Sequence, residues 1–309
     1  MRASGAIRVL AAALALGAIG FSLGLVVQSQ ASDQPAPSAA LADLQERAGD
    51  LIVYSEFGER ADTIWAADPN EPAGRVFLAT VEHAPGFGIT PSLSPDGARV
   101  AYTVLSNGAT GYGAELWVLE TGSGATTRLA QAVDLLATPV WSRTSDAVVA
   151  RRSGEGEATA GAELLRVDLR GSVTSLASAT GGLYAIDFSP DGQSLYYARL
   201  SESGSDLMRV SASGGAPERV ARLSDGFARD WHLSADGASL AFLAESASGG
   251  AAYSTQVLDI ASGVARSLVS DEAQFNPVWD GSGALTVGQS AGAARRLSFA
   301  GHLRRARRR

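Results

Sequence analysis

The chain has 309 residues, a net charge of −7 at pH 7 and a hydrophobic share of 46%. Together with 35 glycines, these values are typical of a globular domain with a sizeable core and many turns. Cysteine and lysine are both absent, which excludes disulfides, thiol chemistry and lysine-based catalysis, and an acidic domain is a poor binder of nucleic acid.

Residues 1–31 have the composition of an export signal or a membrane anchor. Arg2 and Arg8 precede an uncharged apolar run over residues 9–27. That run is longer than a signal-peptide core of about 7–15 residues and just reaches the length of about 17–25 that spans a bilayer. Ser29 to Ala31 supply the small residues of a cleavage site. The sequence therefore leaves both a cleaved signal peptide and an uncleaved transmembrane helix open. Either one predicts an extracytoplasmic protein, secreted or membrane-anchored.

Residues 32–48 are rich in serine, alanine, proline and glutamine. Such a composition buries little apolar surface, so a flexible linker is expected. One or two turns of helix over residues 39–47 are the alternative.

A repeat organises the rest of the chain. A short apolar strand, a four-residue turn and a second apolar strand recur every 45–48 residues, counted between the residues that open the turns: Ser94, Ser142, Ser189, Ser234 and Asp280. The best-preserved turn reads Ser-Pro-Asp-Gly. Proline presets φ near −65° at its position, aspartate suits the next one, and glycine takes the left-handed conformation that a following bulge requires.

The period predicts the architecture. Each unit also contains two further strands joined by a glycine-rich hairpin, and about four strands per 40–50 residues is typical of a β-propeller. We therefore predict an all-β propeller over residues 49–303, with six four-stranded blades, preceded by the N-terminal apolar helix. The first unit begins at Leu51 with its second strand, and neither its innermost strand nor the strand that closes the ring can be identified.

These residues carry a resemblance to a known family. Ser-Pro-Asp-Gly before a β-strand, then a strand that ends near an acidic residue and a glycine hairpin, resembles the TolB-like (WD-type) propeller repeat. The resemblance covers about residues 49–303. Propellers of this kind serve as periplasmic scaffolds, as secreted binding modules and as gating domains of prolyl-oligopeptidase-type enzymes, so the resemblance does not select an activity.

The usual catalytic motifs are missing. Neither Gly-x-Ser-x-Gly nor His-Glu-x-x-His occurs, and only three histidines are present. We therefore predict a non-catalytic scaffold that binds a protein or another cell-envelope component, without a cofactor and without a metal site. Two alternatives remain open: a small hydrolase or lactonase-like enzyme with a metal in the central channel, and a ligand-sensing propeller.

Three residues form the candidate ligand site. Asp187 and His232 each lie two residues before a turn, and Asp230 lies two residues before His232. Equivalent positions on first strands surround the axis of a propeller, so these side chains are predicted to converge in the channel. Two carboxylates and an imidazole can hold a divalent cation or act as a base. The structural interpretation is that His232 is a hydrogen-bonded residue and that the aspartates pair with Arg229 or with backbone amides.

Two further predictions concern the core between blades and the C-terminal tail. The large apolar residues that directly precede the turns are predicted to form the core between blades, together with the tryptophans of two third strands: Trp141, Phe188, Leu233, Trp279, Trp65 and Trp117. The basic tail over residues 304–309 is interpreted as a solubilising end or as a segment that adheres to anionic lipid or an acidic partner.

Overall fold

The computed structural model describes residues 37–47, 51–68, 70–106, 113–153, 161–245, 253–268, 274–279, 283–289 and 294–298. The expected export segment and the basic tail lie outside these residues. No helix in the described part of the chain is both long and apolar enough to cross a membrane.

The described residues form six antiparallel sheets. The first sheet contains β1 (Ile52–Glu56), β2 (Ala61–Ala67) and β3 (Val76–Glu82), with a 3-10 turn at Pro72–Gly74. The second contains β4 (Thr90–Leu93), β5 (Arg99–Val104), β6 (Ala114–Glu120) and β7 (Thr126–Val133). The third contains β8 (Val140–Trp141), β9 (Ala147–Ser153), β10 (Gly161–Asp168) and β11 (Val173–Thr180).

The remaining sheets repeat this order. The fourth contains β12 (Gly182–Phe188), β13 (Ser194–Ser201), β14 (Gly204–Ser211) and β15 (Glu218–Ser224). The fifth contains β16 (Ala228–Leu233), β17 (Ser239–Glu245), β18 (Tyr253–Asp259) and β19 (Val264–Leu268). The sixth contains β20 (Gln274–Trp279), β21 (Ala284–Gln289) and β22 (Ala294–Ser298). The first and last sheets thus have three strands within the described residues, so six complete four-stranded blades remain a prediction.

The turns have the predicted backbone. Gly97, Gly192 and Gly237 have φ of 70°, 70° and 68°. In each of these turns the opening serine donates its hydroxyl proton to the aspartate two residues later at 2.6 Å, which fixes the turn from within. The degenerate third-sheet copy places Ser145 in the left-handed conformation, with φ of 57°, and Ser142 donates instead to Asp146.

Five apolar clusters join successive sheets, from the first and second to the fifth and sixth. The residues that directly precede the turns lie in them as predicted and are buried: Trp141, Phe188, Leu233 and Trp279.

The two third-strand tryptophans are not fully buried core residues, although Trp117 packs against the apolar cluster of the first and second sheets. Trp65 and Trp117 are only half-buried. The Trp65 indole donates to Glu56 at 2.9 Å and lies 3.9 Å below the Arg75 guanidinium, while the Trp117 indole donates to Glu115. Tryptophan lies at such a boundary because its ring is apolar and its N–H needs an acceptor.

Helix α1 (Pro37–Arg47) lies within the segment expected to be a flexible linker and includes residues 39–47, for which one or two turns of helix were the alternative. Its eleven residues make about three turns. Leu41 and Leu44 lie on one face of the helix, because residues three apart are neighbours, and both are buried against the first and second sheets. Gln45 donates to the carbonyl of Gly97. Packing against the sheets, rather than helix propensity, stabilises this helix.

Two ends of the sheets are distinguished by their connections. Because strands alternate in direction, the turns between first and second strands lie at one end, here named the turn face. The connections between successive sheets, and the loops between second and third strands, lie at the other end, named the loop face. Helix α1 contacts the turn face through Gln45.

Candidate functional site

Asp187, on β12, connects two sheets. Its Oδ2 accepts a hydrogen bond of 2.8 Å from Nη2 of Arg143, which lies in the turn of the third sheet. The same Nη2 donates to the carbonyl of Phe188, whose own amide donates to Asp187 Oδ1 at 2.7 Å. Burial raises the pKa of Asp187 above its ordinary value, and the charge of Arg143 opposes that rise. Both carboxylate oxygens therefore already have partners.

His232, on β16, connects the fifth and sixth sheets. Its Nδ1 accepts a hydrogen bond of 3.2 Å from the backbone amide of Trp279. Burial lowers the pKa of His232, so the ring is neutral at neutral pH. A neutral ring that accepts at Nδ1 carries its proton on Nε2. This geometry agrees with the interpretation of His232 as a hydrogen-bonded structural residue.

Asp230 has an unusual backbone conformation. Its φ is 56°, and the pairing of β16 with β17 shifts register between Arg229 and His232. Asn276 has φ of 45° at the equivalent position of β20, where the register with β21 also shifts. Aspartate and asparagine adopt the left-handed conformation more readily than other residues with a β-carbon. The bulge itself therefore explains an aspartate at position 230.

The structure places the three predicted residues on neighbouring strands, since β12 and β16 contact each other. It also gives each a separate role in holding the fold. Among the described residues, no group of three or more histidine, aspartate and glutamate side chains is arranged to hold a metal ion. A joint ligand site made of Asp187, Asp230 and His232 therefore stays a prediction.

An aromatic row near the loop face was not predicted from the sequence. The Arg151 guanidinium lies 4.3 Å from the Tyr184 ring, whose centroid is 5.5 Å from that of Trp231. Arg151 also pairs with Asp134. These residues come from β9, β12 and β16, so the row crosses three sheets. They occupy different positions within their repeats, and for that reason the repeat pattern does not reveal them.

A second missed feature is a fully buried pair in the first sheet. Asp62 and His83 are 1% and 0% exposed, and His83 Nε2 lies 3.0 Å from Asp62 Oδ1. Asp62 also accepts from the amides of Gly58 and Ile89 at 3.0 and 2.9 Å. Since Gly58 lies in the loop after β1 and Ile89 in the connection to β4, one carboxylate fixes both loop-face segments.

These two segments expose aromatic rings. Phe57 is 63% exposed and stacks on the His83 ring, with the centroids 6.2 Å apart. Phe87 is 48% exposed in the neighbouring segment, and the Phe57 ring lies close to Gly88. Leu136, 75% exposed, lies in the next connection on the loop face. We name Phe57 and Phe87 the aromatic pair.

The architecture of the chain is similar to that of solved structures, whereas its sequence has no match. No protein-family model and no curated protein matches the sequence. Among solved structures, TolB from Acinetobacter baumannii matches with a TM-score of 0.59 and 18% identity, over 80% of this chain. The fold is that of a TolB-like β-propeller.

Other solved structures match as well. A chain of a nidogen/laminin complex matches over 81% of this chain and 90% of its own length, with 11% identity and a TM-score of 0.58. Oligogalacturonate lyase in complex with manganese matches over 80% and 73%, with 14% identity and a TM-score of 0.56. The chain spans 62% of the length of the Acinetobacter TolB. At these identities the likeness concerns the fold alone.

Proposed function

We propose that this chain is an extracytoplasmic, non-catalytic TolB-like propeller that acts as a protein-binding or scaffold module at the cell envelope. The basic and apolar composition of residues 1–31 supports export, by a cleaved signal peptide or an uncleaved anchor. The lack of catalytic motifs in the sequence supports a binding role.

The single observation that carries the binding role is the aromatic pair. Exposed phenylalanine costs solubility, and a cluster of large apolar side chains on a rigid support is a usual feature of a protein interface. The buried bonds of Asp62 to the amides of Gly58 and Ile89 fix the two segments that carry Phe57 and Phe87 before a partner arrives. Such pre-organisation lowers the entropy cost of binding.

The surroundings of the aromatic pair resemble the rim of an interface. Glu59, Arg60 and Glu82 are exposed beside it. A polar, charged rim around an apolar centre is the common anatomy of non-obligate interfaces. A protein partner with an apolar anchor therefore fits this surface.

A pull-down from envelope extract tests the proposal. The full chain and a Val173→Ser variant should recover the same partner, since Val173 is 48% exposed but lies at the turn-face end of β11. A Phe57→Ser/Phe87→Ser double variant should lose it. Failure of the wild-type chain to recover any protein above background would contradict the binding role.

Export has its own test. The mass of the mature N-terminus, measured together with membrane fractionation, separates a cleaved signal peptide from an anchor. Either result supports an extracytoplasmic protein, whereas an intact N-terminus in the cytosolic fraction contradicts it.

A further inference from the structure

Strand β1 has an unusual position among the second strands of the sheets. The chain enters the first sheet with β1, which runs from the turn face to the loop face in the same direction as β5, β9, β13, β17 and β21. Each of those five strands forms a ladder on both sides. Within the described residues, β1 pairs with β2 alone. One backbone edge of β1 therefore has no strand beside it in the described part of the chain.

Burial agrees with the pairing. Each of β5, β9, β13 and β17 contains at least four buried residues. None of the five residues of β1 is buried, and Ile52 is 42% exposed. The difference in burial arises because, in the other sheets, a first strand shields one side of the second strand. An uncovered strand edge offers a row of backbone donors and acceptors.

We propose that the edge of β1 accepts an extended segment of a partner protein, which adds to the first sheet as its innermost strand. This inference rests on the proposed protein-binding function and specifies how the partner binds. Addition of a strand to a sheet edge obtains its affinity from main-chain hydrogen bonds and its specificity from alternate side chains.

The other sheets define the chemistry of the segment. Their first strands run antiparallel to the second strands, from the loop face to the turn face. Next to the turn, four of these five first strands carry a large apolar residue that is at most 7% exposed, such as Trp141, Phe188 or Trp279, and the fifth, β4, carries the partly buried Leu93. The partner segment is therefore extended and carries an aromatic residue or leucine near its C-terminal end.

The aromatic pair lies where such a segment enters. β1 ends at Glu56, and Phe57 follows it directly on the loop face. A segment antiparallel to β1 begins at that end, beside Phe57 and Phe87. Phe57 thus adjoins the open edge in the chain, and its ring lies close to Gly88, the residue after Phe87.

Other segments of this chain are less suitable than a partner protein to pair with the edge of β1. After β22 the repeat pattern predicts a fourth strand around residues 302–305, on the outer side of the sixth sheet rather than at the axis. Residues 304–309 include five arginines, unlike the apolar first strands. Residues 28–36, which precede α1, are polar and include Pro35, which lacks a backbone donor.

A peptide with the sequence of residues 182–190, which includes β12, is the probe. We expect the labelled peptide to bind the full chain in fluorescence anisotropy and to slow amide exchange at residues 52–56. Only alternate amides of an added strand face its neighbour. Two versions with methylated backbone nitrogens, at odd or at even positions, should therefore differ, with one binding at least about ten-fold more weakly than the other.

Several results would overturn the inference. Equal binding by both methylated peptides, or no binding of the unmodified peptide, excludes strand addition at β1. Amides of residues 52–56 that are already as protected as those of β5 in the free chain show that the chain covers its own edge. The same conclusion follows if removal of residues 299–309 is needed before the peptide binds.

A pair of variants separates this inference from the proposed function. Ile52→Lys places a charge on the open edge, and Val264→Lys places one on β19, where the residue is 54% exposed. We expect the first variant alone to lose the envelope partner. A partner that binds both variants equally leaves the protein-binding function intact and contradicts the role of β1. If the peptide binds β1 but no envelope partner is recovered, strand addition at β1 is supported and the proposed protein-binding function is contradicted.

Discussion

Gly237 lies directly against Pro190 of the preceding sheet, so that a β-carbon on Gly237 would be 2.6 Å from the proline Cδ. Both residues belong to Asp-Gly turns on the turn face. Gly237→Ala should therefore destabilise the protein by about 2–5 kcal/mol, through left-handed strain and through the clash between sheets. Urea unfolding measures the effect.

Gly263→Ala is the matched control for this prediction. Gly263 has the same φ of 68°, but no atom lies within 4 Å of its added β-carbon. The control should lose only about 1–2 kcal/mol, from backbone strain alone. Equal losses in the two variants would mean that the turns do not pack against neighbouring sheets.

The bond between Arg143 and Asp187 predicts a local loss of stability. Arg143→Ala should destabilise the protein by about 1–2 kcal/mol, a value reduced because about a third of each side chain is exposed. It should also raise the pKa of Asp187 further, because Arg143 now opposes the effect of burial. Carbon-13 NMR of the carboxyl group measures that pKa. As a control, Arg166→Ala removes a more exposed pair with Asp146 and should lower the free energy of unfolding by less. A pKa of Asp187 that falls or stays unchanged in Arg143→Ala would contradict this role of Arg143.

His232 predicts a dependence of stability on pH. Burial depresses its pKa in the folded state, so between that pKa and the unfolded value of about 6.5 only the unfolded chain binds the proton. The stabilisation is complete above about pH 6.5 and is lost as the pH falls toward the folded-state pKa. His232→Asn keeps an acceptor for the Trp279 amide but does not titrate. Unfolding free energies at pH 7.5 and 5.5 should therefore differ less in this variant, and an unchanged difference contradicts the assignment.

Metal analysis tests the enzyme alternative. The purified full chain should contain no stoichiometric zinc or calcium, and Asp187→Ala or His232→Ala should not change its metal content. Stoichiometric metal that is lost in either variant would instead favour a metal-dependent enzyme with its site in the channel.

The repeat predicted most of the fold because its determinants are local. A left-handed glycine and a serine–aspartate bond need only a few consecutive residues, and Gly97, Gly192 and Gly237 all have the expected backbone. The apolar residues before the turns were also assigned correctly, since alternation within a strand fixes which face of the strand they occupy. The period further located β1 as a second strand, because Tyr54 aligns with Tyr102 one unit later.

The site was less predictable because its contacts cross between sheets. Arg143 occupies a position that is proline in the turns of the second and fourth sheets, so nothing local indicated that it bonds to Asp187. The Asp62–His83 pair joins residues 21 positions apart within the first unit, and the described residues of the other units contain no equivalent pair. The length of helix α1 was underestimated for a similar reason, since Leu41 and Leu44 are buried against sheets that follow later in the chain.

Site-specific photo-crosslinking in intact cells tests the central claim most directly. A photoreactive amino acid replaces Phe57, Phe87 or Val173 in separate variants of the full chain. The account predicts an adduct with one and the same envelope protein at positions 57 and 87, and none at position 173. No adduct at positions 57 and 87, or the same adduct at all three, would contradict a protein-binding loop face.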